Sequence, residues 1–337
     1  MSLLKLGELN KIDIVAVRIL ARLSKMENRI RHAEIHGTMT VDGLIRQLEG
    51  CAFGAGRIAK ACDILEKMRE DDVTKFFGLS GAMVPAGMRN VVSDMIREGY
   101  IDILVTTGAN MVHDIIEATG GYHAKGTENA DDIELKGRHI NRIYDVFLSE
   151  EYFTSLEGKL QEVYRGLDEN KVYSISELMG EIGKSLDDRH SVLRSAYEMG
   201  VPVYCPAVQD SVIGLQAWLY NQTGRLRVDA FKDMRELMDR CYEAKRTGAI
   251  LIGGGVPKNY VLQCMLVTPR GGYDYVIQIT MDRAETGGLS GATLDEARSW
   301  GKVGENAEAV QVICDATIAL PIMLAAVNER LAKKKGD

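Results

Sequence analysis

Residues 249–259 read AILIGGGVPKN: an apolar run, three glycines, and then Pro257 where a helix would begin. Glycines let a backbone turn tightly and approach a ligand closely, and the free N–H groups at a helix start favour a phosphate. The stretch therefore predicts a strand, a turn and a helix that suit nucleotide binding. It is not the dinucleotide fingerprint G-x-G-x-x-G, so a tight turn without a ligand is the alternative interpretation.

Other apolar runs along the chain also have strand length and lack strict alternation, which is typical of strands buried on both faces of a parallel sheet. Helical patterns lie between them, for example over residues 41–48 after the N-cap residue Thr40. The alternation predicts a Rossmann-like, doubly wound α/β fold, with a mainly parallel sheet and helices on both faces. The further runs are KFFGLS (75–80), IDILVTT (101–107), VPVYCP (201–206), YVIQIT (275–280) and VQVIC (310–314).

Composition limits the class of protein. The 337 residues carry a formal charge of −7 and have no basic block, which argues against nucleic acid as a partner. The longest apolar stretch, 316–327, is shorter than the roughly 20 residues of a membrane-spanning helix, and no signal pattern begins the chain. We therefore predict a cytoplasmic protein with no membrane partner. No repeat or linker interrupts the sequence, so we expect one domain over 1–337, with 1–40 as an N-terminal helical annex.

Cysteines and histidines give no sign of a metal site. The six cysteines stand singly, and the six histidines show no ligand spacing such as H-E-x-x-H. Asn110 follows a predicted strand and is expected to cap a helix, with His113 one turn inside it. A lone histidine in that position is interpreted as a structural side chain.

Residues 287–303, GGLSGATLDEARSWGKV, carry the strongest chemical signal. Glu296 and Trp300 are spaced i, i+4, so a carboxylate and an indole share one helix face and would suit a cationic ligand. Glu296 also completes a capping box with Thr293, which is the structural alternative. Lys302 follows this helix. It either interacts with the last carbonyl groups or, in a dry pocket, acts as a nucleophile.

The segment SGATLDEARSWGKV resembles the signature around the active-site lysine of deoxyhypusine synthases, and AILIGGGVPKNY resembles that family's glycine-triplet turn. The resemblance implies that Lys302 is the covalent lysine and that Trp300 and Glu296 contact a polyamine. It also implies NAD as cofactor and a homotetramer with active sites between paired subunits. Further resembling segments are LIRQLEGCAFGAGRIAKACDIL, IDILVTTGANMVHDIIEATG, VPVYCPAVQD and VQVICDATIALPIM. The positions implied to line the NAD site are Thr107, Gly108, Asp210, Gly253, Gly254, Gly255 and Asp315.

Several positions depart from the family pattern. Leu215 and Leu289 stand where the family has substrate-binding aspartates, and Asn259 stands where it has a histidine. The family also has an asparagine at Ala82 and a glutamate at His113. A buried ammonium without a carboxylate costs several kcal/mol, so these changes argue against spermidine in the usual pose.

The resemblance implies an NAD-dependent transfer of an aminobutyl or related aminoalkyl group through a lysine imine. The donor is a polyamine or related amine, and the acceptor is either a lysine of a translation initiation factor or a small amine, as in homospermidine synthesis. Two alternatives remain. One is a dehydrogenase or amine oxidase in which Lys302 is merely ionic, and the other is an NAD-binding protein that has lost transferase activity.

Overall fold

The computed structural model of the protein describes residues 29–269 and 271–336. In this part of the chain eleven strands form three sheets. The strands are β1 (Val73–Leu79), β2 (Ile103–Thr106), β3 (Ala124–Lys125), β4 (Ile140–Ile143), β5 (Val146–Ser149), β6 (Val172–Tyr173), β7 (Val203–Tyr204), β8 (Arg227–Val228), β9 (Arg246–Ile252), β10 (Tyr273–Thr280) and β11 (Val303–Ile313).

Thirteen α-helices connect these strands within the described ranges, and a π-helical turn (Val84–Met88) follows β1. The helices are α1 (Val41–Leu48), α2 (Phe53–Glu70), α3 (Arg89–Arg97), α4 (Gly108–Ala118), α5 (Asp132–Gly137), α6 (Glu151–Arg165), α7 (Ile175–Ser185), α8 (Val192–Met199), α9 (Val212–Tyr220), α10 (Ala230–Glu243), α11 (Gly255–Gln263), α12 (Leu294–Ser299) and α13 (Ala316–Gly336).

The large sheet has six strands in the order β11-β10-β9-β1-β2-β7, and every neighbouring pair is parallel. Counted along the chain, its strands follow the order 3-2-1-4-5-6 of dinucleotide-binding folds. The order reverses between β1 and β9, where Ile252 ends β9 beside Leu79 at the end of β1. In folds of this kind, ligands bind beyond the carboxyl ends of the strands at that reversal.

Separate apolar cores cover the two faces of this sheet. Phe77 and Ile250 lie in the larger core, while Phe76 and Leu251 lie in a second core against α10 and α11. Neighbouring residues of a strand point to opposite faces, so each run of consecutive apolar residues is buried on both sides. The predicted doubly wound α/β fold is therefore confirmed.

All six strand predictions are confirmed, and the short strands β3 to β6 and β8 were not predicted because they are brief and of mixed polarity. Helix α1 starts where expected, since the Thr40 hydroxyl accepts a hydrogen bond from the Gly43 N–H. Of the predicted annex, residues 29–40 contain no helix and residues 1–28 lie outside the described residues. No helix in the described ranges is long and apolar enough to cross a membrane.

The predicted cap of α4 is wrong by three residues. Thr107 is the N-cap, and its hydroxyl accepts a hydrogen bond from the Asn110 N–H at 3.3 Å. Asn110 is buried inside the first turn, where its amide donates to Thr106 and accepts from the N–H of Val84. Asn110 therefore ties the end of β2 to the segment after β1.

Candidate active site

A cavity of about 400 Å³ lies at the carboxyl ends of β1, β9, β10 and β11, where the strand order reverses. Gly253, Gly254, Gly255 and Asp315 line it, which brings together four of the seven residues predicted for the NAD site. Gly253 and Gly255 have φ angles of 66° and 55°, in the left-handed region that favours glycine. The first turn of α11 begins at Gly255, so its free N–H groups lie at this cavity.

Gly254 has a different role from its two neighbours. A Cβ atom at this position would lie 2.1 Å from the Cα atom of Ser290, which leaves no room for any side chain. The hydroxyl of Ser80 also donates a hydrogen bond to the Gly254 carbonyl oxygen. Gly254 therefore allows the segment before α12 to pack directly on the glycine turn.

Asp315 follows β11 and faces the same cavity. Its Oδ1 atom accepts hydrogen bonds from the N–H and the hydroxyl of Thr317, at 2.7 and 2.5 Å. The Thr317 hydroxyl, followed by backbone N–H groups, lowers the pKa of the Asp315 carboxyl below its usual range. Both bonds use Oδ1, so Oδ2 of an ionised carboxylate is left to accept a hydrogen bond from a ligand hydroxyl.

A second cavity of about 650 Å³ adjoins the first, and the two share Met83, Asp315 and Thr317. Its wall continues over the π-helical turn and the small sheet of β3, β4 and β5. His123 lies in this wall and is hydrogen-bonded to His113, with 2.9 Å between their ring nitrogens. His113 is therefore not the isolated histidine that the sequence indicates.

The other three predicted NAD residues lie outside the walls of both cavities, with Thr107 and Gly108 after β2 and Asp210 after the neighbouring strand β7. Thr107 caps α4, and a Cβ atom on Gly108 would lie 2.3 Å from the Ser211 hydroxyl oxygen. Asp210 is exposed in the turn that precedes Ser211. These residues lie together, but in one chain they form a group separate from the glycine turn.

Lys302 contacts the helix that starts at the glycine turn. Its Nζ atom lies 3.0 Å from Oδ1 of Asn259 and 5.9 Å from the centre of the Trp300 ring. Its backbone is fixed too, because Lys302 N–H donates to Ala297 and its carbonyl accepts from Tyr273. Lys302 has no carboxylate partner within the described residues.

Helix α12 presents Glu296 and Trp300 on its exposed side, and Trp300 is 65% exposed. The Thr293 hydroxyl accepts a hydrogen bond from the Glu296 N–H, so half of the predicted capping box forms. The Glu296 carboxylate does not complete the box among the described residues. It therefore remains available to a cationic ligand.

Sequence reasoning missed Lys258, which is only 4% exposed. Its Nζ atom donates to Gln278 Oε1 at 3.2 Å and to the carbonyl oxygens of Leu289 and Ala292 at 2.8 and 2.6 Å. Burial lowers the pKa of Lys258 to about 8, with Glu296 opposing and Lys302 reinforcing this shift. The only sequence signal is its place one residue before Asn259 in the glycine-turn motif.

The two leucines at family aspartate positions are both on the surface of the single chain. Leu215 is 51% exposed on α9, and Leu289 is 47% exposed before α12. Trp218 and Leu219 extend the exposed apolar surface of α9. Within the described residues, no cluster of three or more His, Cys, Asp or Glu side chains could hold a metal ion.

Comparison with known proteins assigns the family. Residues 43–327 match the deoxyhypusine synthase family. The chain belongs to the deoxyhypusine synthase family. A relative from Methanosarcina thermophila, named "Probable deoxyhypusine synthase", is 61% identical over 306 residues, which cover 90% of this chain and 96% of the relative. "Probable deoxyhypusine synthase 1" from Archaeoglobus fulgidus is 44% identical, and the match covers 90% and 98% of the two chains. Membership in the deoxyhypusine synthase family supports a transferase function.

Solved structures share the fold. The "putative deoxyhypusine synthase from Entamoeba histolytica" matches with a TM-score of 0.64 and 18% identity, over 88% of this chain and 96% of that one. The ternary complex of AgrE with ornithine and NAD⁺ matches with a TM-score of 0.52 and 14% identity, over 82% of this chain and 33% of AgrE. At these identities the likeness concerns the fold alone.

Proposed function

We propose that the protein is an NAD-dependent transferase that moves an aminobutyl or related aminoalkyl group from an amine donor through an imine on Lys302. The contact between Lys302 and Asn259 carries this proposal. Asn259 lies four residues beyond Gly255, and four residues of α-helix advance about 6 Å. The candidate nucleophile Lys302 therefore contacts α11 about one helical turn beyond the glycines.

The residues at the first cavity fit NAD. The start of α11 at Gly255 offers backbone N–H groups to the pyrophosphate, and the Asp315 carboxylate suits a ribose hydroxyl. The fold of the AgrE complex, which holds NAD⁺ and ornithine, is compatible with this assignment. When bound, NAD supplies the redox chemistry by taking a hydride from the carbon beside the amine nitrogen and later returning it.

Lys302 would form the covalent intermediate. As a free amine it attacks the carbon of the substrate imine, releases the departing amine and holds the alkyl group as a Schiff base. An acceptor amine then takes the group and frees the lysine. Asn259 positions Nζ through a neutral amide oxygen.

Glu296 and Trp300 would hold a cationic part of the amine. The carboxylate supplies the opposite charge, and the indole face contributes about 0.5 to 2 kcal/mol by cation–π attraction. Leu215 and Leu289 provide apolar surface where the family has carboxylates. The absence of these two carboxylates favours a donor or acceptor with fewer charges than spermidine. Transfer to a small amine, as in homospermidine synthesis, is therefore the second candidate reaction.

We further propose a cytoplasmic homotetramer built from one NAD-binding domain per chain. The exposed apolar side chains of α9, Leu215, Trp218 and Leu219, support self-association, since an apolar surface of this kind favours burial by a partner. Assembly would also bring residues of a second subunit towards Glu296 and Trp300. Light scattering at micromolar concentration tests this, and a monomer would contradict it.

A substrate panel tests the proposed activity. The protein is incubated with NAD and putrescine, spermidine, agmatine or shorter diamines, with small amines or a lysine-containing translation factor as acceptor, and products are identified by mass spectrometry. A product carrying a transferred aminoalkyl group supports the proposal. Oxidised amine without transfer would favour the dehydrogenase alternative, and NAD binding without turnover would favour the binding protein.

A further inference from the structure

Lys258 is a buried cation whose three hydrogen-bonding positions are all used. An ammonium group has three N–H donors and no acceptor, and the three oxygen atoms around Nζ are a side-chain amide oxygen and two backbone carbonyl oxygens. A neutral amine would turn its lone pair towards one of these oxygens. The geometry therefore requires the protonated form, although no carboxylate contacts it within the described residues.

The three partners of Lys258 belong to different parts of the site. Gln278 lies on β10, and its Nε2 atom donates to the carbonyl oxygens of Gly253 and Ser290, each at 3.0 Å. Leu289 and Ala292 belong to the segment that leads into α12. Lys258 and Gln278 thus form one hydrogen-bond network that joins the glycine turn to the start of the lysine-bearing segment.

Few other side chains hold this segment. Ser290 packs on Gly254 and its hydroxyl donates to Asp282. From Leu289 the chain runs through α12 to Lys302, whose Nζ returns to Asn259, the residue next to Lys258. Adjacent residues of α11 therefore hold both ends of the stretch 289–302.

We propose that Lys258 is a positioning residue that fixes the segment 289–292 on the glycine turn and so transmits cofactor binding to the position of Lys302. The proposal rests on the proposed function, because the cofactor and the nucleophile are taken from it. A ligand that orders the glycine turn also orders the carbonyl oxygen of Gly253. Through Gln278 and Lys258 that order extends to Leu289 and Ala292, whose positions set the start of α12.

The test is hydrogen exchange of peptides covering residues 288–302, with and without NAD, in the full-length protein. In the wild type we expect NAD to slow exchange of these amides. In Lys258→Met we expect these amides to exchange about tenfold faster without NAD, which corresponds to a loss of roughly 1.4 kcal/mol of local stability. We also expect this variant to bind NAD with unchanged affinity, but NAD should no longer slow the exchange. Lys258→Gln keeps two of the three N–H donors and should give an intermediate rate.

Lys75→Met is the matched control, because Lys75 is also a buried lysine and donates to the Val73 carbonyl at the start of β1. It should leave exchange in 288–302 unchanged. The proposal would be overturned if both Lys258 variants exchanged these amides at the wild-type rate. It would also be overturned if NAD slowed the exchange equally in the wild type and in Lys258→Met.

Two further results distinguish a failure of this proposal from a failure of the proposed function. If the protein binds no NAD, the proposed function fails, and the rates without NAD still decide whether Lys258 holds the segment. If transfer occurs, Lys258→Met should lower kcat for adduct formation at Lys302 by tenfold or more, with KM for NAD little changed. A purely structural lysine would instead lower the amount of folded protein and leave kcat per folded molecule intact.

Discussion

The glycine turn and the lysine segment are held in place in different ways. At the glycine turn, residues 253–255, the backbone is positioned by a central strand, by the left-handed φ angles of two glycines and by the start of α11. In the lysine segment, residues 289–302, side chains do this work, chiefly Lys258 and Asn259. The fold therefore fixes where a cofactor can bind, whereas particular side chains determine whether Lys302 lies close to that site.

The largest expected effect comes from substituting Lys302, which should abolish group transfer and leave cofactor binding unchanged. Lys302→Ala should lower transfer by about 10³-fold or more, equivalent to roughly 4 kcal/mol of barrier, and should leave NAD affinity unchanged. Lys302→Arg should be as inactive, because a guanidinium does not form a Schiff base. Product formation and NAD titration measure the two quantities. Lys171→Ala is the control, since Lys171 also lies near an aromatic ring but far along the chain from the site. Substantial residual transfer in Lys302→Ala would refute the covalent role.

The second prediction tests whether burial disfavours the charged form of Lys258, which contacts the lysine segment. Burial lowers the pKa of Lys258 from 10.5 to about 8, so between pH 8 and 10.5 the unfolded chain binds more protons at this residue than the folded one. The free energy of unfolding of the wild type should therefore rise with pH across this window relative to Lys258→Met, by on the order of 3 kcal/mol. Urea denaturation of both proteins from pH 7 to 10.5 measures it. Parallel curves would show that burial does not lower the pKa of Lys258.

The third prediction concerns substrate choice at the lysine segment. Leu215→Asp/Leu289→Asp restores two carboxylates, each of which could contribute about 1 to 3 kcal/mol to binding an ammonium group. We expect spermidine to be a poor donor for the wild type and at least about tenfold better, in kcat/KM, for the double variant. If spermidine is already the best donor and the variant gains nothing, the leucines do not set specificity.

The smallest expected effect is on NAD affinity and concerns two acidic residues that were predicted for the NAD site. Asp315→Asn should weaken NAD binding by about tenfold, because hydrogen bonds to charged groups are worth roughly 1.5 to 3 kcal/mol. Asp210→Asn should weaken it less, since Asp210 lies outside both cavity walls in one chain. Calorimetric titration with NAD gives both values. An equal loss in Asp210→Asn would mean that the cofactor also reaches the turn after β7.

The sequence was sufficient for the sheet because each strand of it contains a run rich in apolar residues, such as Phe76 and Phe77, which point to opposite cores. The turn at 253–255 was likewise visible as three glycines between a strand and a helix. The Lys302–Asn259 contact joins residues 43 apart, and local periodicity carries no information on such a pair. Position alone left two roles open for Lys302, and only the family resemblance favoured the nucleophile.

Other parts of the site could not be predicted for specific physical reasons. A lysine on a short helix is normally exposed, so the burial of Lys258 appears only when the segment 289–292 folds over it. The pairing of His113 with His123 depends on the chain turning back after α4. Asn110 is a good cap by residue type, but Thr107 directly follows β2 and is extended, so the helix starts there instead.

The covalent role of Lys302 can be tested by trapping the intermediate. The protein is incubated with NAD and a diamine or triamine, reduced with borohydride, digested and mapped by mass spectrometry. We expect an aminoalkyl adduct on Lys302 that requires both NAD and the amine and is absent in Lys302→Ala. Turnover without any adduct, or an adduct on Lys258 in place of Lys302, would contradict it.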